Sequence, residues 1–254
     1  MCTLCWLGAP GGYAVYFNRD ERRTRRPGLR PVVSQQDGVR FVAPRDGDHG
    51  GTWIAVNQHG VTVALLNVYT GPPAPGREST SRGLLVLGLA IARSVAEAES
   101  RLRSLDRAPF QPFQLALFGP AEVPRAVHWD GTALDVRDLG EADRPLTSSG
   151  YDAGGAARSR RAEFRRLSAE RGAVDAALLE AFHRSHAPER GALSPCMHRE
   201  EAATVSFTRV FVERGSASLV YHPAAPCEPA EDVAVDLARS KSAAYSSGRA
   251  GRVD

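Results

Sequence analysis

The stretch Met1-Cys2-Thr3-Leu4-Cys5-Trp6-Leu7-Gly8-Ala9-Pro10-Gly11-Gly12-Tyr13-Ala14-Val15-Tyr16-Phe17-Asn18-Arg19-Asp20-Glu21 decides how this chain folds. Residues 3–8 and 13–17 are strand-like segments on either side of Pro10-Gly11-Gly12, the pattern of an antiparallel hairpin closed by a tight turn. A hairpin lays its second strand beside its first, so Asn18-Arg19-Asp20-Glu21 returns next to the chain start and to Cys2. Methionine aminopeptidase removes Met1 ahead of a small residue such as cysteine. Cys2 then carries both a thiol and a free α-amine. An α-amino pKa of ~7.7–8 makes that amine a usable general base beside its nucleophile, the pairing that N-terminal-nucleophile catalysis needs. Arg19 can hold a thiolate or a substrate carboxylate, and Asp20 can orient the amine. The nearby positive charge is expected to draw the thiol pKa below the ~8.5 of a free cysteine and to make Cys2 the first thiol alkylated, ahead of Cys5, Cys196 and Cys227. The competing reading is a buried strand cysteine beside a solvated hairpin end that runs into the arginines of residues 22–26.

Outward from the hairpin, residues 39–43, 52–57 and 61–67 continue the strand character, the last two joined by Gln58-His59-Gly60. The run Val61-Thr62-Val63-Ala64-Leu65-Leu66 is apolar enough for a central strand covered on both faces. Residues 71–77 form a Pro/Gly loop. Thr80 or Ser81 caps a helix reaching about residue 93, and Ser94 caps a second over 95–105. Strands resume at 112–118 and 125–129. Helices follow at 156–171, basic with Phe164 and Leu167 on one side, and at 174–186. Residues 203–213 and 216–222 make a closing hairpin around Arg214-Gly215. Residues 1–228 read as a single domain, and 229–254, rich in Ala, Ser and Gly, as a flexible C-terminal tail. The helices come in pairs between sets of strands, not in the alternation of a doubly wound parallel sheet. An α+β fold of two packed antiparallel sheets with helix pairs outside satisfies this order.

Composition removes several classes of protein. With 254 residues, 43% hydrophobic and 24% charged, the chain can bury a core without disulfide staples. Its net charge is +3 and Lys241 is its only lysine, which leaves no basic footprint for nucleic acid. No apolar run reaches the ~18–20 residues of an integral membrane segment. The N-terminus has neither the basic region nor the cleavage pattern of a signal peptide. The expected location is therefore cytoplasmic, with the four cysteines reduced. Asparagine occurs only at Asn18, Asn57 and Asn67, so each copy draws attention.

Met1-Cys2-Thr3, Asn18-Arg19-Asp20-Glu21, Gly50-Gly51-Thr52-Trp53-Ile54-Ala55-Val56-Asn57 and the segment 60–67 together resemble the signature of the NRDE family, also called the transport and Golgi organisation family. That family in turn resembles cysteine N-terminal-nucleophile (Ntn) hydrolases of the penicillin V acylase and bile salt hydrolase type. The resemblance implies a four-layer αββα Ntn-hydrolase-like sandwich of two antiparallel sheets that cleaves amide bonds. It implies Cys2 as nucleophile, Arg19 and Asp20 at the end of the first hairpin, and Asn67 as the oxyanion-hole donor, a role worth ~3–4 kcal/mol. The hydrolases place their aspartate three residues after the arginine, whereas Asp20 is adjacent to Arg19. They also carry a second asparagine in a central loop. Here the nearest counterpart is Thr147-Ser148-Ser149. Their late arginine, in a Ser-Arg-Phe helix motif, maps loosely to Arg158, with Arg161 in reserve. Asn18, Glu21, Trp53, Arg82 and Ser149 complete the expected substrate-binding set.

Other motifs read as structural. Gly50-Gly51 allows a tight turn into a strand, and Trp53 either packs in the core or lines the pocket. Ser79-Thr80-Ser81-Arg82-Gly83 opens a helix, by capping or as an anion site. Cys2 and Cys5 face opposite sides of one strand, and Cys196-x-His198 with Cys227 lacks zinc-finger spacing, so no metal and no cofactor is expected. His183 and His186 are assigned to a polar helix face. The leading functional reading is an N-terminal-cysteine amidohydrolase acting on a small acylated amide. The alternative is a non-catalytic protein binding or trafficking a lipid, acyl-CoA or haem-like ligand, in keeping with the lipid or haem homeostasis linked to the family. A third, an interaction module, rests on the arginine-rich helix alone.

Overall fold

A computed structural model describes residues 2–69 and 79–240. The first hairpin pairs β1 (Cys2–Ala9) with β2 (Gly12–Arg22) through the two-residue turn Pro10-Gly11. Proline presets the first turn position, and Gly11 takes the second at φ 77°, where a side chain is disfavoured. β3 (Leu29–Gln36), β4 (Val39–Arg45), β5 (Ile54–Asn57) and β6 (Thr62–Asn67) lead to α1 (Gly83–Leu89) and α2 (Val95–Ser104). β7 (Phe113–Phe118), β8 (Arg125–Trp129), β9 (Leu134–Asp138) and β10 (Leu146–Ser148) precede α3 (Ala153–Arg171) and α4 (Ala176–Arg184). β11 (Ala202–Val212), β12 (Ser216–His222) and β13 (Val233–Ala238) follow.

The strands form a six-stranded sheet, β10-β1-β2-β11-β12-β13, and a seven-stranded sheet, β3 to β9 in chain order; every pair in both is antiparallel. Strand alternation sorts the side chains. Leu4, Trp6, Val15 and Phe17 meet Ile54, Val56, Leu66 and Phe118 between the sheets. Cys5 and Tyr16 point the other way, onto Phe164, Leu178 and Phe182 of α3 and α4. Val63, Leu65 and Leu115 cover the outer face of the second sheet against Leu85, Val86 and Leu102 of α1 and α2. Each such buried side chain contributes roughly 1.5–3 kcal/mol. The result is the expected four-layer αββα sandwich. Among the described residues, no helix is long and apolar enough to cross a membrane.

Several boundaries differ from those read in the sequence. Val233–Ala238 is not tail but the edge strand β13, paired with β12, and its Leu237 is buried between the sheets. Val233, Val235 and Leu237 alternate with Ala234, Asp236 and Ala238, the period of a strand with one covered face. Residues 241–254 of that tail, and the Pro/Gly loop of 71–77, lie outside the described residues. α1 starts at an Arg82 N-cap without side-chain capping and ends at Leu89, short of residue 93. The carbonyls of Ala90 and Ala92 instead accept hydrogen bonds from Asn57 Nδ2, at 2.9 and 2.6 Å. Gly51 and Gly83 permit the closest backbone approach near the site. A Cβ on Gly51 would stand 2.6 Å from the Gly83 carbonyl carbon, so α1 can dock directly on the entry to β5.

Candidate active site

Cys2 opens β1, flanked by Arg19 of β2 on one side and Ser148 of β10 on the other. It borders a cavity of about 250 Å³ together with Arg19, Asp20, Trp53, Asn67 and Arg82. The elements that deliver these residues are the first hairpin, the segment leading into β5, the end of β6 and the start of α1. Among the described residues no hydrogen bond engages the Asn67 side chain, so its amide is available to a bound group. Glu21 lines the same cavity.

Arg19 does not stand as a lone cation beside the thiol. Its Nη2 donates to Asp46 at 2.7 Å and to Glu21 at 3.4 Å, and its guanidinium lies 4.3 Å from the Trp53 ring centroid. Arg25 bridges the same carboxylates, 2.7 Å from Asp46 and 2.8 Å from Glu21, and reaches Asp48 at 2.9 Å. Two arginines thus share three carboxylates, and the positive charge of Arg19 is spent within the protein. Trp53 serves as both core and wall: it lies under Arg19 and packs near Tyr221 between the sheets.

In the chain that begins at Met1, the Cys2 pKa is raised, not depressed. Burial pushes the thiol up to about 11, outweighing the N-terminal ammonium, a hydrogen bond with the Asp20 backbone and Arg19, all of which pull it down; the Asp20 carboxylate adds to the rise. Cys5, fully buried against α4, is pushed well above the free value by burial as well. Cys2 therefore rests as a neutral thiol.

Asp20 points toward the helix layer, where Arg160 reaches it. Arg160 Nη2 donates to Asp20 at 3.3 Å and both side chains are fully buried. The same guanidinium donates to Thr3 Oγ1 at 2.6 Å, to the Cys2 carbonyl at 3.4 Å and to the Ser194 carbonyl at 3.0 Å. Thr204 Oγ1 donates to the other Asp20 oxygen at 2.6 Å. The arginine of α3 beneath the chain start is thus Arg160, not Arg158 or Arg161, both of which are exposed. The signal was in the sequence: Ala156, Arg160 and Phe164 follow one another at four-residue steps on a single helix face, and all three are buried.

Two expected binding residues lie elsewhere. Asn18 donates to the carbonyls of His183 and Pro195 at 2.9 and 3.0 Å, tying β2 to the end of α4 and the loop after it. Ser149 Oγ accepts the backbone N–H groups of Tyr151 and Asp152 at the entry to α3. Its neighbour Ser148 is buried and stands directly opposite Cys2 in the strand register. His183 does not sit on a polar face; it is fully buried, its ring 5.3 Å from that of Phe207 and 6.2 Å from that of Tyr16.

Two antiparallel sheets between helix pairs, with a cysteine opening a central strand, define an Ntn-hydrolase-like fold. A variant of conjugated bile acid hydrolase from Clostridium perfringens matches with a TM-score of 0.59 and 13% identity, over 92% of each chain. The Caenorhabditis elegans ortholog of N-acylethanolamine-hydrolyzing acid amidase matches with a TM-score of 0.56 and 14% identity, over 90% of this chain and 94% of that one. At such identities the likeness is one of fold. By sequence, residues 1–126, just under half of the chain, match the Transport and Golgi organisation 2 family model. A search of curated proteins gives no significant match.

Proposed function

We propose that the protein is an N-terminal-cysteine amidohydrolase acting on a small acylated amide. The observation that carries this reading is the single cavity shared by Cys2 and Asn67. The reading requires loss of Met1, so that Cys2 bears its own α-amine. The thiol sulfur attacks the substrate carbonyl while the α-amine takes the thiol proton. Asn67 donates a hydrogen bond to the oxyanion that forms. The ammonium then returns the proton to the departing amine, leaving a thioester on Cys2 that water hydrolyses. With the α-amine as the base, turnover follows it: kcat/KM rises with pH through the amine's ~7.7–8.

Among the described residues Arg82 borders the cavity without a carboxylate partner, its Nη1 donating to the Pro112 carbonyl at 2.8 Å. It is the group suited to a substrate carboxylate. Trp53 and Leu65 are the large apolar side chains in a lining otherwise rich in charge, which favours a small polar amide over a lipid or haem-like ligand. An acyl-amide electrophile tests the reading. Acylation of Cys2, absent in Cys2→Ala, supports it, while binding without acylation returns the protein to ligand handling.

A further inference from the structure

Beyond the end of α4, three segments distant in sequence come together. His186, Cys196, His198 and Cys227 each bring one ligand atom to within 4.8 Å of the others. Cys196 Sγ lies 3.5 Å from Cys227 Sγ, and His198 Nε2 lies 3.4 and 3.3 Å from the two sulfurs. The rings of His186 and His198 have centroids 5.1 Å apart, and the buried His186 Nε2 has no hydrogen-bond partner. A tetrahedral zinc ion with Zn–S near 2.3 Å and Zn–N near 2.0–2.1 Å sets its sulfurs ~3.8 Å apart and each sulfur ~3.5 Å from each nitrogen. The observed separations already approach that shape, and closing His186 in by about 1 Å completes it. A disulfide needs the sulfurs at about 2.05 Å, so the 3.5 Å pair is unbonded.

We propose that His186, Cys196, His198 and Cys227 form a structural zinc site. Two thiolates cancel the dication and two neutral imidazoles complete the shell, so the loaded site carries no net charge into its partly buried surroundings. Sulfur and imidazole donors select zinc over magnesium or calcium, which take oxygen. Four protein ligands leave no open position, which makes the ion structural and not catalytic. When His198 binds through Nε2, its proton moves to Nδ1. Arg190, now 3.3 Å from Nδ1 and well exposed, turns away into solvent. The ligand spacings, one residue between Cys196 and His198 and long gaps to His186 and Cys227, match no local zinc motif. Only the fold assembles the set.

Such an ion would fasten the loop after α4 to the turn after β12. That loop supplies the Ser194 carbonyl to Arg160 and the Pro195 carbonyl to Asn18, so it supports the layer beneath Cys2. The test is metal analysis of protein purified under reductant from zinc-supplemented cells. One zinc per chain is expected, sharply reduced in Cys227→Ser and in His186→Ala and retained in Cys2→Ala. Should the ligand variants fail to fold, wild-type protein stripped of metal and titrated with Co2+ must develop the thiolate charge-transfer and tetrahedral ligand-field bands. Any of three results overturns the site: no metal in the reduced wild-type protein, zinc unaffected by Cys227→Ser, or a Cys196–Cys227 disulfide in the reductant-purified chain.

Discussion

Asparagine shows how a residue type is divided between scaffold and site. Asn18 and Asn57 are fully buried, and each donates to two carbonyls that tie a sheet to the segments packed outside it. Only Asn67 lines the cavity. Asn67→Ala is therefore expected to lower kcat by 10²–10³ with the fold intact, as removal of an oxyanion donor does, measured by steady-state hydrolysis of an acyl amide. The two arginines separate in the opposite way. Arg158→Ala removes an exposed side chain and should change stability by less than ~0.5 kcal/mol. Arg160→Met removes the buried cation that faces the Asp20 carboxylate and should cost about 3–5 kcal/mol in urea unfolding. Cys2 gives a third residue-scale expectation. In protein retaining Met1, iodoacetamide alkylation of Cys2 should keep rising toward a pH of about 11. A plateau near pH 8.5 would mean that charge and not burial controls the thiol.

At the scale of elements, the hairpin and the central strands were legible because alternation and turn chemistry are local. β8 and β12 match their sequence-read bounds, residues 125–129 and 216–222, and Ser94 caps α2 as read. What was not legible depends on partners far along the chain. β10 is three residues long and owes its form to pairing with β1. The outer edge strand β3 leaves Leu29, Val32 and Val33 exposed, so it carries no clean amphipathic pattern. His183 on α4 is the clearest reversal, and its burial has a measurable result. Burial, aided by the Arg160 charge, lowers its pKa to about 3 from 6.5. Above pH 6.5 neither native nor unfolded histidine is charged, and the stability is fully present. As pH falls toward 3 the unfolded chain takes up a proton that the native chain refuses, at a cost of order a few kcal/mol. Urea midpoints should fall between pH 7 and 4.5, and His183→Leu should flatten that slope. An unchanged slope would exclude His183 as its source.

For the whole molecule, the layer order was readable from helices arriving in pairs, but the extent of the domain was not. Composition marked residues after 228 as tail, while the alternation of Val233, Val235 and Leu237 was the stronger physical signal. Deleting the chain from Val233 onward should lower Tm clearly, because it uncovers β12 and removes Leu237 from the core between the sheets. The convergence of Cys2, Arg19, Asp20 and Asn67 was foreseeable from hairpin return and the family signature. The neutralisation of Arg19 by Asp46 was not, since 27 residues separate them and only the sheet packing joins them. The central claim concerns Cys2 as a nucleophile carrying its own amine, and intact mass tests it most directly. Protein incubated with an acyl-amide electrophile should show a chain lacking Met1 and carrying one acyl group, mapped to Cys2 by peptide analysis and abolished in Cys2→Ala. A chain that keeps Met1, or one that stays unmodified at Cys2 while the electrophile binds, would contradict it.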